Sequence, residues 1–81
     1  MTSVRYEQEH WQELFWQRDD RYYWCALRQN LFGEWVLLRR WGGRRTRKGG
    51  QMETVVANPE EGHRLIQDVL KRRQYRRYTL M

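Results

Sequence analysis

The chain is poor in the features that usually announce an enzyme. It has one cysteine in 81 residues, Cys25, so no intramolecular disulfide can form and nothing points to an oxidising compartment. Set in YYWCAL, that thiol reads as an inert strand residue rather than a nucleophile. The two histidines, His10 and His63, are far apart and have no clustered thiols beside them, so no metal site is expected. There is no nucleophile–base pair, and GGRRTRKGG lacks the Gly-Lys-Ser/Thr ending of a phosphate-binding loop. A non-enzymatic protein without a cofactor follows. Long apolar runs are missing too. No stretch of about 18 apolar residues could span a membrane, and MTSVRYEQEH has no signal-peptide core. A cytoplasmic protein is expected, nucleoid-associated if it binds DNA, and no membrane partner.

What is present is aromatic and basic. Five Trp, five Tyr and two Phe supply large core volumes for one small domain spanning residues 1–81, with residues 1–10 polar and expected to fray. Charge is divided unevenly along the chain. Residues 1–35 carry a net −2 and residues 36–81 a net +8, which favours a polyanion contacted by one side of the molecule.

The stretch Arg39–Gln51, RRWGGRRTRKGGQ, concentrates both properties. It holds six cations, four glycines, one tryptophan and no acid, and reads as an exposed loop presenting an aromatic plate among positive charges. The candidate nucleic-acid contacts are Arg39, Arg40, Trp41, Gly42, Arg44, Arg45, Arg47, Lys48 and Gln51. Arg72, Arg73, Arg76 and Arg77 form a second patch, if the fold brings it near. Arginine outnumbers lysine in both, which suits bidentate phosphate contact.

Around this stretch the pattern alternates between turns and strand formers. WQELFWQR (11–18), RYYWCALRQ (21–29), EWVLLRRW (34–41) and QMETVVA (51–57) read as antiparallel strands. Asp19-Asp20 and Asn30–Gly33 supply turns. Both faces of the second strand are apolar, so periodicity leaves its core face open. Trp41 shares a face with Trp35, Leu37 and Arg39, and is either outward-facing or a core plug at the strand end. Asn58-Pro59-Glu60-Glu61 is an N-cap, a proline at the first helical position and acids in the first turn. Leu65, Ile66, Val69 and Leu70 follow as one apolar stripe, closed by Lys71, Arg72 and Arg73. Residues 75–81 read as a short last strand or a tail. The fold class is α+β, a small antiparallel sheet of about four strands with one helix on one face.

These features in this order resemble the WGR family, named for a Trp-Gly-Arg motif at a strand end. The resemblance rests on the aromatic strand 21–29, the LFGEW connection (31–35), RRWGG (39–43), GGQ (49–51), the helix opened by Asn58-Pro59-Glu60, and the tyrosines Tyr75 and Tyr78 of the basic tail. Upstream, LFWQRD (14–19) is similar to the family's first strand. The resemblance implies an antiparallel sheet with one helix and, as in poly(ADP-ribose) polymerases, binding to DNA at breaks. There the motif tryptophan packs on a terminal sugar and its neighbours hold phosphates. Trp41 and Gly42 match the motif, but Gly43 stands in the arginine position and Arg44 follows it. That departure weakens the family's interdomain role more than its DNA role. DNA ends, nicks or single-stranded stretches are therefore the expected partner, ahead of RNA. The alternative is a protein-interaction or homodimerisation module with incidental charge, since Tyr, Trp and Arg also dominate protein interfaces.

Overall fold

The computed structural model describes residues 4–81. Five antiparallel strands form one sheet in the order β4-β3-β2-β1-β5. They are β1 (Gln12–Arg18), β2 (Arg21–Gln29), β3 (Trp35–Gly43), β4 (Gly49–Val56) and β5 (Thr79–Leu80). An α-helix, α1 (Pro59–Tyr75), covers one face. The α+β expectation holds. Of the two readings open for the C-terminus, the short strand is the one formed: β5 adds to the outer edge of β1 through Trp16↔Leu80 and Gln17↔Thr79.

The helix decides which strand face becomes the core. Ile66 and Val69 pack against Trp16, Tyr23, Cys25, Leu27, Trp35, Leu37 and Val56, the odd-numbered positions of β2 and β3 together with their neighbours. Leu27, Leu37 and Ile66 are fully buried, each contributing about 1.5–3 kcal/mol of apolar burial. Gly62 allows the close approach. A Cβ there would meet Leu27 Cδ1 and lie 2.8 Å from Cδ2.

Both helix ends are closed by local chemistry. Asn58 Oδ1 accepts from the Glu61 amide at 2.8 Å, and the Glu61 carboxylate returns to the Ala57 amide at 2.9 Å, satisfying donors that a helix start leaves free. At the other end Arg77 adopts a left-handed backbone, φ 64°. The Tyr78 amide donates to Arg73 O at 2.9 Å and the Arg77 amide to Gln74 O at 3.0 Å. This is a Schellman turn with arginine where glycine is usual. It reverses the chain and carries Tyr78 back over the helix end.

Two expectations are corrected here. Arg39–Gln51 is mostly strand, not loop. Trp41↔Gly50 and Gly42↔Gly49 pair across β3 and β4, leaving only residues 44–48 as the connection. Gly50 makes this possible, because a Cβ at that position would lie 2.7 Å from Trp41 Cζ2. The N-terminal segment is also tethered. Glu7 N donates to Gln29 Oε1 at 2.7 Å, Gln29 Nε2 to Arg5 O at 3.0 Å, and Tyr6 Oη to Leu31 O at 3.2 Å. One glutamine amide thus binds residues 5–7 to the end of β2. Residues 1–3 of the expected frayed end lie outside the described residues.

Candidate functional site

The topology joins the two basic patches. α1 starts at the far end of β4 and runs back against β2, from Gly62 over Leu27 to Arg73 over Tyr23. Its C-terminal turn therefore arrives beside the β3–β4 connection. Between them opens a cleft of about 750 Å³, lined from the hairpin by Arg39, Trp41, Arg45 and Lys48, from α1 by Arg72 and Arg73, and from its C-cap by Arg76. With Arg21, seven cationic side chains surround this space, against one carboxylate, Asp20. Asp20 approaches Arg45 only at 3.9 Å, with both side chains largely exposed, a pairing worth little in solvent. The cleft is thus strongly cationic. The turn that contributes Asp20 also steadies the connection, since Asp20 O accepts from the Arg44 amide at 2.6 Å.

Aromatic rings form the cleft's framework. Tyr23 is its hub: Trp16 meets it edge-on at 5.8 Å and Trp41 stacks on it at 5.9 Å and 11°. Arg73 lies over Tyr23 at 4.2 Å and over Tyr78 at 5.0 Å. Trp41 therefore joins the core edge through Tyr23 while still lining the cleft, so each of the two roles weighed for it is met in part. Arg73 is only 7% exposed, and its Nε has no hydrogen-bond partner. Burial lowers the Arg73 pKa below the ordinary guanidinium value, an effect the two tyrosines oppose. Arg39 Nε is likewise buried and unpartnered.

The thirteen sequence candidates separate by position. Eight line the cleft: Arg39, Trp41, Gly42, Arg45, Lys48, Arg72, Arg73 and Arg76. Arg47 and Gln51 line a shallower hollow of about 450 Å³ at the hairpin tip, which Trp41, Gly42 and Lys48 share. Arg40 points to the opposite sheet face, 5.4 Å above the Trp24 ring. Neighbouring strand residues face opposite ways, so Arg40 does not join Arg39 in the cleft. Arg44 and Arg77 line neither space; Arg45, not Arg44, is the arginine after the WGG run that reaches the cleft. Sequence reasoning passed over Tyr23, Arg21 and Asp20. Tyr23 shares a strand face with Cys25 and Leu27, which was its available signal.

The face away from α1 is built differently. Trp24 Nε1 donates to Glu13 Oε1 at 2.8 Å, and Arg28 reaches Glu13 Oε2 at 3.1 Å. The Trp24 hydrogen bond, with help from Arg28, holds the Glu13 carboxyl below its usual pKa. Arg28 and Glu13 form an ion pair there, and Arg40 rests on the Trp24 ring. Glu7, Glu9 and His10 can bring their ligand atoms within 4.8 Å of one another, but this group is largely exposed at the opposite end of β2 from the cleft.

No family model matches the chain. No solved structure matches it. Among curated proteins it is 40% identical over 58 residues, 72% of this chain, to the uncharacterized protein y4dW of Sinorhizobium fredii. The aligned stretch spans 28% of that relative's length. Among the described residues no helix is long and apolar enough to cross a membrane.

Proposed function

We propose that the chain is a WGR-like nucleic-acid-binding module, acting on DNA ends, nicks or single-stranded stretches through the cleft between the β3–β4 hairpin and the end of α1. The observation that carries this reading is the convergence of seven cations and one carboxylate on a single cleft whose wall includes Trp41. Phosphate groups supply the missing counter-charge, and release of their condensed counterions drives binding. Trp41, already stacked on Tyr23, has its orientation set before a sugar or base arrives, and such a contact is worth about 1–3 kcal/mol. Arg45, Lys48, Arg72 and Arg76 hold the backbone on either side. Among the described residues no element is built to enter a groove and read base edges, so structure selects the target rather than sequence.

The test is binding to a labelled nicked duplex and to the same duplex intact, at two salt concentrations. With about four phosphates engaged, affinity falls roughly 100-fold between 50 and 200 mM salt. The nicked duplex is expected to bind more tightly, and Trp41→Ala to remove that preference. Absence of binding even at low salt would reject the proposal. It would favour the protein-contact reading, which draws on Leu31 and Phe32 at the remote β2–β3 turn, 85% and 82% exposed. A concentration-dependent molecular size would then be expected, which Phe32→Ser abolishes.

A further inference from the structure

The cationic groups of the cleft are of two kinds. Arg45, Lys48, Arg72 and Arg76 are exposed, as expected of side chains that screen a polyanion diffusely. Arg39 and Arg73 are not. They come from β3 and α1, and each keeps an Nε that is buried without a hydrogen-bond partner. Neither forms an ion pair with an acid among the described residues. Besides lining the main cleft, both line a second hollow of about 200 Å³ between α1 and the sheet. Asp68 borders that hollow from the exposed side of α1 without pairing with either arginine.

A buried guanidinium nitrogen without a partner is held at an energetic cost, and proteins ordinarily match such a group with an acceptor; Arg73 is buried and Arg39 half-buried. Here the fold goes further and fixes the group's orientation. The Tyr23 ring lies beneath the Arg73 guanidinium, the Tyr78 ring flanks it, and the Schellman turn holds Tyr78 in place. A planar fork clamped by two rings loses little further freedom when it takes up an oxyanion.

We infer that Arg39 and Arg73 form a seat for one phosphate group, where the cleft meets the hollow between α1 and the sheet. This inference rests on the polyanion reading of the same cleft and assigns its anchor. One phosphate is held by the oriented Arg73 guanidinium together with Arg39, and the exposed cations hold the remainder of the ligand only by their field. The Nη groups of the two arginines donate to the phosphate oxygens, and a lysine at either position, as a point charge, cannot reproduce the paired donation. The chemistry shared by all candidate ligands is a tetrahedral phosphate, whether a backbone phosphodiester or part of a small phosphate compound.

The seat is tested by following the arginine Nε–H resonances of the ¹⁵N-labelled protein at low salt, titrating separately with pyrophosphate and with a short single-stranded oligonucleotide. The expected result is saturable movement of the Arg39 and Arg73 signals, with those of Arg28 and Arg64, away from the cleft, unmoved. Arg39→Lys and Arg73→Lys, which keep the charge, are each expected to weaken pyrophosphate binding at least 10-fold. Should Arg73→Lys fail to fold, the wild-type titration and Arg39→Lys decide. Movement with the oligonucleotide assigns the seat to the nucleic-acid backbone. Movement with pyrophosphate alone supports the seat as a site for a small phosphate compound, and the nucleic-acid reading fails. Oligonucleotide binding with both signals unmoved overturns the seat and leaves the nucleic-acid reading standing. No movement with either ligand overturns it as well.

Discussion

Arg77 offers a substitution expected to stabilise the protein, and its size follows from backbone geometry. It occupies the left-handed region at φ 64°, immediately after the helix cap residue Arg76. An L-residue with a Cβ costs about 1–2 kcal/mol there, whereas glycine is free of that penalty. Glycine's extra freedom in the unfolded chain returns about 0.5–1 kcal/mol. Arg77→Gly is therefore expected to gain about 0.5–1 kcal/mol, raising Tm by about 2–8 °C in a domain of this size. Arg77→Ala removes the same charge and keeps the Cβ, so it controls for electrostatics and gains nothing. Urea unfolding of the three proteins, with equal m-values, reads the difference directly. If Arg77→Gly is no more stable than Arg77→Ala, the left-handed turn is not formed as described, and the route by which Tyr78 reaches Arg73 fails with it.

Three further outcomes follow from the same structure. Asn58→Ala removes the side-chain acceptor of the Glu61 amide and is expected to cost about 1 kcal/mol in urea unfolding, through loss of the N-cap; an unchanged midpoint would contradict that cap. Gly62→Ala would ordinarily favour a helix by about 1 kcal/mol, but the new Cβ collides with the Leu27 methyls, and overpacking of this kind costs about 1–3 kcal/mol. Destabilisation is therefore expected, and a more stable variant would refute the close approach of α1 to β2. Burial pushes the Cys25 thiol up to about 11 from its ordinary 9.0. A raised pKa stabilises the fold fully below pH 9, and that contribution is lost as pH rises towards 11. Iodoacetamide at pH 8 is expected to alkylate Cys25 only as the chain unfolds, and native labelling at the rate of a free thiol would contradict its burial.

The parts legible in the sequence were those encoded locally. Asn58, Pro59 and the first-turn acids announce α1 without help from tertiary structure, and strand formers between turn residues place β1 and β2. The glycine-rich run misled because its conformation is decided across the ladder. Gly49 and Gly50 look like loop residues until Gly42 and Trp41 are seen opposite them, with the indole occupying the space a Cβ would fill. The core face of β2 and β3 was undecidable from two apolar faces, and the stripe of α1 settles it. The joining of the two basic patches depends on the direction in which α1 returns, which no local window contains. Arg73 is the instructive case. In a basic run it looked like a solvated helix end, yet Ile66, Val69 and Arg73 fall at i, i+3 and i+7 on the buried stripe. Periodicity held that information, and charge obscured it.

On the proposed function, the cleft and not general basicity binds the polyanion. Charge reversal on the two sides of the molecule tests it most directly. Arg72→Glu and Arg76→Glu alter the cleft, whereas Arg40→Glu makes the same change on the opposite sheet face. Affinity for a short duplex at fixed low salt is expected to fall at least 10-fold with either cleft variant and less than 3-fold with Arg40→Glu, with the salt slope reduced by about one contact only for the cleft variants. Equal losses at all three positions would contradict the claim, leaving binding to net charge alone.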